Sequence, residues 1–193
     1  MLWQMVSSIT DSFDSALNRW AVDIADPKPG EHLLDIGAGV GPSSLVAAHR
    51  GVQVTALEPS RFMRAGLSLR NRIANGPIRV VAGSVESIPL QNEVVDVAIA
   101  VNSFHHWQDR SKGLAEIHRV MKPAGRLYLV EEDFDSEQHS MSEAMNRFFS
   151  SHQELAVDPL VAQDELAGAG FSSMDMRSET VADEPVRLFS ARR

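Results

Sequence analysis

Hydrophobic positions along the chain change period repeatedly, and the changes mark out alternating helices and strands. Over 11–25, Phe13, Leu17, Trp20 and Ile24 recur at spacings of four, three and four, which lines one face of a helix. Asp26-Pro27-Lys28-Pro29-Gly30 stops it. A short apolar run at 33–36 carries one acid, Asp35, and is bounded by glycine; it is too short for a helix and reads as a buried strand. Gly37, Gly39 and Gly41 then follow at every second position, and Pro42 opens the next segment. Proline suits the first turn of a helix, where its missing N–H costs nothing. That helix, 42–50, ends at Gly51, and 52–57 form a second strand running into Glu58. Ser60 can cap a third helix, in which Phe62, Leu69 and Ile73 share a face until Asn75-Gly76.

The alternation continues. Strands are expected at 78–82 and 94–101, the latter interrupted by Asp96 and leading to Asn102. A helix at about 111–121 puts Leu114, Ile117 and Met121 on one side, and Lys122-Pro123-Ala124-Gly125 turns into a strand at 126–130. Strands that alternate with helices imply parallel βαβ units in a doubly wound sheet. Ser140-Met141-Ser142-Glu143 fits a capping box, after which Met141, Met145, Phe148, His152 and Leu155 line a helix face. A shorter helix starts at Asp158-Pro159 and ends near Gly168-Ala169-Gly170. Strands at 173–177 and 186–192 have no helix between them, which suggests an antiparallel pair at the sheet edge. No repeat, linker or low-complexity tract divides the 193 residues; one domain is expected, with 140–157 as a helical insert.

Composition narrows the chemistry. The net charge of −8 argues against tight sequence-independent binding to nucleic acid or anionic lipid, although a local basic patch can oppose the net value. There is no cysteine, so disulfides, thiolate metal sites and a Cys nucleophile are excluded. The first residues lack a basic segment followed by a long apolar run, and no stretch approaches the ~20 apolar residues of a membrane span. A cytoplasmic protein is expected.

The strand, glycine turn and helix start at 33–42 form a nucleotide-binding corner. A dinucleotide fingerprint needs glycine at the sixth position of the motif, and counting from Gly37 that position is Pro42. The Gly-Lys-Ser/Thr of a phosphate-binding loop is absent as well. Three alternating glycines suit a ligand that lies across the turn without a pyrophosphate, and Glu58 would reach a ribose diol, its carboxylate accepting from both hydroxyls.

At this point the chain resembles the class I S-adenosylmethionine-dependent methyltransferases, of the methyltransferase type 11-like group. The resemblance rests on five segments in order, 33–41, 57–60, 83–89, 96–107 and 116–125, and covers roughly residues 30–130. It implies a Rossmann-like, mostly parallel seven-stranded sheet with an antiparallel C-terminal edge strand. It also implies roles: Asp35, Gly37, Gly39 and Gly41 hold the methionine end of the cofactor, Glu58 the ribose hydroxyls, Pro59 and Ser60 border the adenine, Ser84 and Val85 meet its edge, and Asn102 closes the pocket beside the methyl group. Two positions depart from the pattern. Ser84 stands where the family usually has Asp, giving the adenine amino group an uncharged and weaker acceptor. Ala124 stands where a second glycine is common.

A sulfonium methyl group is already activated, so an enzyme has mainly to align donor and acceptor, and needs a base only where the nucleophile carries a proton. His105 and His106, just beyond the fourth strand in Phe104-His105-His106-Trp107, are the base candidates; the alternative is that they pack under the cofactor. Glu131, Glu132, Asp133, Asp135 and Glu137 either attract a cationic acceptor such as an amine, hold a metal, or form a solvated loop; the acidic pattern of the metal-dependent O-methyltransferases is not seen, and no metal is expected. The 141–155 helix either covers the core edge or roofs an acceptor pocket as a lid, its methionines adapting to apolar shapes; Trp3 and Phe13 either close the cofactor site or simply pack. The expected function is methyl transfer from S-adenosylmethionine to a small organic acceptor, without nucleic-acid or membrane partners, with specificity carried by residues after the fourth and fifth strands or by a second subunit of a homodimer. The rivals are a cofactor-binding sensor or scaffold that transfers nothing and, disfavoured by Pro42, a NAD-type oxidoreductase.

Overall fold

A computed structural model describes residues 15–134, 136, 138 and 157–193. The expected 140–157 insert (apart from Val157), Trp3, Phe13, Asp135 and Glu137 lie outside the described residues. Seven strands form one sheet in the order β3-β2-β1-β4-β5-β7-β6, where β1 is His32–Ile36, β2 Gln53–Glu58, β3 Arg79–Ala82, β4 Val95–Val101, β5 Met121–Glu132, β6 Ser172–Val181 and β7 Glu184–Arg192. The pairs among β1 to β5 are parallel, and β7 is antiparallel to both of its neighbours. The antiparallel pair lies at the edge as expected; within it β7 is the inner member and β6 the outermost strand. Strand order reverses at β1, whose neighbours are β2 and β4, and in open α/β sheets the crevice at such a reversal, outside the carboxyl ends of the strands, is where ligands bind.

Helices cover both faces. On one side pack α1 (Ala16–Ala25), α2 (Pro42–His49) and α3 (Arg61–Ile73), through Val22, Ala25, Ala47, Ala48 and Leu67. On the other lie α4 (Arg110–Val120) and α5 (Pro159–Gly168), through Leu114, Ile117, Val120, Ala162 and Leu166. Serine or aspartate caps start four of the five: Ser15 accepts from Asn18 N–H, Ser60 from Met63 N–H, Asp109 from Lys112 N–H and Asp158 from Leu160 N–H, each satisfying a backbone donor that the first turn leaves open.

Four details differ from the sequence pattern. In α1 the fully buried face is Leu17, Ala21, Val22 and Ala25; small alanines carry little periodic signal, so the larger Trp20 and Ile24 dominate the pattern while burying less. In α3 a shared apolar face would ordinarily mark the side packed on the sheet, yet Phe62, Leu69 and Ile73 are 71%, 59% and 74% exposed. The helix is turned instead by Leu67, fully buried against the glycine turn, and by Arg64 and Arg70, which donate to the carbonyls of Glu58, Pro59 and Val40. The expected turn at 122–125 is a bulge inside β5: Met121 pairs with Val95 and Arg126 with Val97, so the residues between loop out with Ala124 at φ 64, and Lys122 reaches Asp96 across the irregularity. Finally, β6 and β7 are longer than 173–177 and 186–192 because they meet at a two-residue turn, Ala182-Asp183, with φ of 52 and 69. Such hairpin turns ordinarily announce themselves with Asn-Gly or Asp-Gly.

Candidate cofactor and active site

Four strand ends converge on the crevice beside β1. Gly37, Gly39 and Gly41 all have positive φ, 69, 55 and 80, a region closed to most side chains. Two of them are also sterically required: a Cβ on Gly37 would lie 2.7 Å from Ser103 Cβ, and one on Gly41 would lie 2.1 Å from Leu67 Cδ1. Gly39 is different. A Cβ there would meet nothing within 4 Å, so its backbone faces space that none of the described residues fills. The turn is pinned from β2, Gly37 and Ala38 N–H donating to Leu57 O at 2.9 and 3.1 Å and Gly39 N–H to Glu58 Oε2 at 2.9 Å.

Glu58, 6% exposed, bridges two loops, because its other oxygen accepts from Ser60 N–H at 2.7 Å. Each carboxylate oxygen has a further lone pair, so the pair of acceptors expected for a ribose diol remains available at the end of β2. Pro59 and Ser60 are exposed beside it. Asp35 lies deeper, 3% exposed, accepting from Ser44 Oγ–H at 2.6 Å. Burial pushes its carboxyl up to about 6; the Ser44 hydrogen bonds oppose the rise and the charge of Glu58 adds to it.

Across the crevice, Ser84 is exposed and Val85 buried. Burial works to raise the Glu86 carboxyl, but the Ser84 hydroxyl and the backbone N–H groups of Asp109 and Gln108 hold it below the usual carboxylate range. The serine at this position therefore has an acid beside it, Glu86, whose carboxylate form it favours.

Past β4 the chain turns through Asn102 at φ 48 and a single 3-10 turn, Phe104–His106. Both ends of the Asn102 amide are engaged by Glu132, Nδ2 donating to Oε2 at 2.9 Å and Oδ1 accepting from the Glu132 N–H at 2.8 Å. The 3-10 turn hangs on Glu131. This carboxylate is 2% exposed; Oε1 accepts from the N–H groups of Ser103 and Phe104 at 3.0 and 2.8 Å, and Oε2 pairs with His105 Nδ1. The Ser103 hydroxyl donates to Ile36 O at 2.9 Å, tying the same turn to β1. His106 is exposed, its ring centroid 3.9 Å from that of His105. Burial of part of its ring and the neighbouring His105 lower its pKa, with Glu131 opposing, which favours a neutral imidazole at neutral pH.

The acidic run after β5 is thus neither a solvated loop nor a free cation trap over the residues described: Glu131 is buried under the histidines, Glu132 holds Asn102, and Asp133 pairs with Arg187 at 2.8 Å. In the sequence Glu131 groups with the other acids, and its pairing with His105 is not singled out. A signal for it exists. Leu127, Leu129 and Glu131 lie on the same face of β5 by strand alternation and all are buried, and a carboxylate at a core-facing position must be paired.

Taken together, the open backbone at Gly39, the carboxylate of Glu58 and the exposed Ser84 fit an adenosine carrying an amino-acid tail, with Asp35 beneath the turn. Comparison with known proteins agrees. Residues 34–129 match the sequence pattern of the family described as the methyltransferase domain. An uncharacterized methyltransferase of Bacillus subtilis, YdaC, is 28% identical over 119 residues, 61% of this chain and 65% of that protein; the chain spans about half the length of other curated relatives it matches. Among solved structures, a SAM-dependent methyltransferase from Aquifex aeolicus superposes with a TM-score of 0.75 at 18% identity, covering 94% of this chain and 91% of that one. Phosphoethanolamine N-methyltransferase 2 of Haemonchus contortus, in complex with S-adenosyl-L-methionine, gives 0.75 at 17% identity over 91% and 52%. At such identities the two structures speak for the fold, and the sequence match for the family. On the sequence match and the shared fold, the chain belongs to the class I S-adenosylmethionine-dependent methyltransferases.

Proposed function

We propose that the protein moves a methyl group from S-adenosylmethionine to a small organic acceptor seated against the 102–107 loop. The observation that carries this reading is the buried Glu131–His105 pair at the carboxyl end of β4, directly beside the turn that suits the cofactor. A bound sulfonium supplies an activated methyl group; the rest of the chemistry belongs to the chain. Gly37, Gly39 and Gly41 give the backbone its close approach, Glu58 accepts from the ribose hydroxyls, and Pro59, Ser60, Ser84 and Val85 border the adenine. Asn102, clamped by Glu132, forms the wall next to the transferring carbon.

His105 takes the proton of an acceptor that carries one. With Nδ1–H directed at Glu131, the neutral ring has its lone pair on Nε2, and the carboxylate stabilises the imidazolium that forms, the arrangement by which a third group orients a base. Neutral His106 hydrogen-bonds the acceptor beside it. Holding two reactants in line is the larger share of the work, worth up to ~7–11 kcal/mol. The small size of the acceptor is supported by the Haemonchus neighbour, which is named for phosphoethanolamine.

Calorimetric titration with S-adenosylmethionine, S-adenosylhomocysteine and NAD, followed by an acceptor panel read by mass spectrometry for a one-methyl gain, tests the proposal. Binding of NAD alone refutes it. Binding of the adenosyl ligands with no methylated product from any acceptor supports the sensor instead.

A further inference from the structure

Residues 59–85 contain five of the chain's 18 basic residues, all arginine, and none of its 26 acidic ones. In a protein of net charge −8 this is a sharp local reversal, and it coincides with the outer edge of the sheet, where α3 flanks β3. Two of the arginines are spent inside the fold: Arg64 donates to the carbonyls of Glu58 and Pro59, and Arg70 to that of Val40. Arg61, Arg72 and Arg79 are exposed and form no ion pair among the described residues.

The apolar residues of α3 are placed to match. At 100° per residue Phe62, Leu69 and Ile73 fall within about 40° of one another on the helix, and Arg61 and Arg72 fall together along one flank of that stripe. The three apolar side chains are 71%, 59% and 74% exposed, standing proud of the surface, while Leu67 on the opposite side is fully buried. The helix therefore carries two apolar arcs, one consumed by the sheet and one that no described residue covers.

We propose that the outer face of α3 docks on an anionic lipid bilayer. An apolar ridge flanked by arginines is the pattern of a helix lying in the headgroup boundary, its hydrocarbon side chains below the phosphates and its guanidiniums among them. Contact of this kind needs no spanning helix, and none of the described helices is long and apolar enough to cross a membrane. A second copy fits less well: pairing α3 about a two-fold axis sets Arg61 and Arg72 against their own counterparts, and residues 59–85 offer no acid to neutralise them. A nucleic acid would use the arginines but leave Leu69 and Ile73 without a role. The docking surface stands independently of the methyl-transfer reading, since none of its residues is among those assigned to the cofactor or the acceptor.

The test uses the full chain and extruded vesicles of phosphatidylcholine, with and without phosphatidylglycerol, in a sedimentation assay. The expected result is binding to the phosphatidylglycerol vesicles, at least roughly tenfold weaker binding to phosphatidylcholine alone, and loss of the difference at high salt. Phe62→Ser with Ile73→Ser, and separately Arg61→Glu with Arg72→Glu, should each abolish sedimentation while leaving the circular-dichroism melt and S-adenosylhomocysteine binding unchanged. No binding to either vesicle overturns the proposal. So does vesicle binding that both double variants retain, or a dimer in solution that Phe62→Ser with Ile73→Ser dissociates while the wild-type chain ignores vesicles.

Discussion

Asp35→Asn separates what the buried carboxylate does for stability from what it does for ligand binding. The folded-state pKa of Asp35 is about 6 against an ordinary value of 3.8. A raised acid pKa means that the folded state holds the proton more tightly than the unfolded chain does. Its contribution is therefore most favourable below pH 3.8 and is lost as pH rises to about 6. Above that window the fold carries an ionised carboxylate under the glycine turn at a cost of roughly 3 kcal/mol, taking 1.36 kcal/mol per pKa unit. Asparagine keeps the shape and an acceptor for the Ser44 hydroxyl, which donates at 2.6 Å, and removes the charge. Urea unfolding across a pH series should find the variant more stable by roughly 3 kcal/mol at pH 7.5, the gain shrinking to about 0.5 kcal/mol at pH 4. On the proposal that Asp35 holds the methionine end of the cofactor, the stabilised variant should bind S-adenosylhomocysteine more weakly, because the charge that burdens the fold would be the one offered to the ligand's ammonium group. Parallel stability curves for the two proteins, or a variant destabilised at pH 7.5 with an unchanged m-value, would refute the reasoning.

Four further substitutions probe the crevice. Gly41→Ala must accommodate a φ of 80 and a Cβ 2.1 Å from Leu67 Cδ1, and should cost about 2–4 kcal/mol in the same urea assay. Glu131→Gln presents an amide N–H to His105 Nδ1 and forces the other tautomer. Turnover on any acceptor found by the panel should fall by about 10²–10⁴, whereas His106→Asn should alter KM more than kcat. Ser84→Ala leaves the adenine edge without its acceptor and should weaken S-adenosylhomocysteine binding by roughly five- to tenfold in calorimetry, with the melt unchanged.

How much of this was legible beforehand depends on the kind of signal. The strand and turn from Leu33 to Gly41 could be read because every local rule there agrees: an apolar run, glycines where positive φ is needed, proline at the helix start. The parallel pairing of the first five strands followed from their alternation with helices, whereas their order came from the structure alone. The orientation of α3 could not be read, because two apolar arcs on one helix do not declare which of them the sheet will cover; that was decided by Leu67 fitting over Gly41, a contact 26 residues apart in sequence. The bulge at 122–125 and the Ala182-Asp183 turn were hidden for a related reason. In both, alanine adopts φ values that its neighbours impose and its own preferences resist. Glu131 was obscured by its company: four other acids within six residues make a surface loop look natural, and only strand alternation sets it apart.

The position of β7 between β5 and β6 has a bearing on how the molecule assembles. The outer edge of β5, which runs through Leu127, Leu129 and Val130, has no partner until residues 184–192 arrive, and β6 has none either. The backbone of Arg193 then closes the bulge of β5, its N–H donating to Gly125 O at 3.1 Å. Pairings at such sequence separation are slow to form, and a strand edge left bare in the meantime is a template for wrong partners. During synthesis the first five strands can line up in order, yet one flank of the sheet stays adhesive until the last strand slides in. Protease protection of β5 in ribosome-stalled chains should accordingly appear only after residue 192 has cleared the exit tunnel, which makes the emergence of this hairpin the interval in which the nascent protein most needs a chaperone.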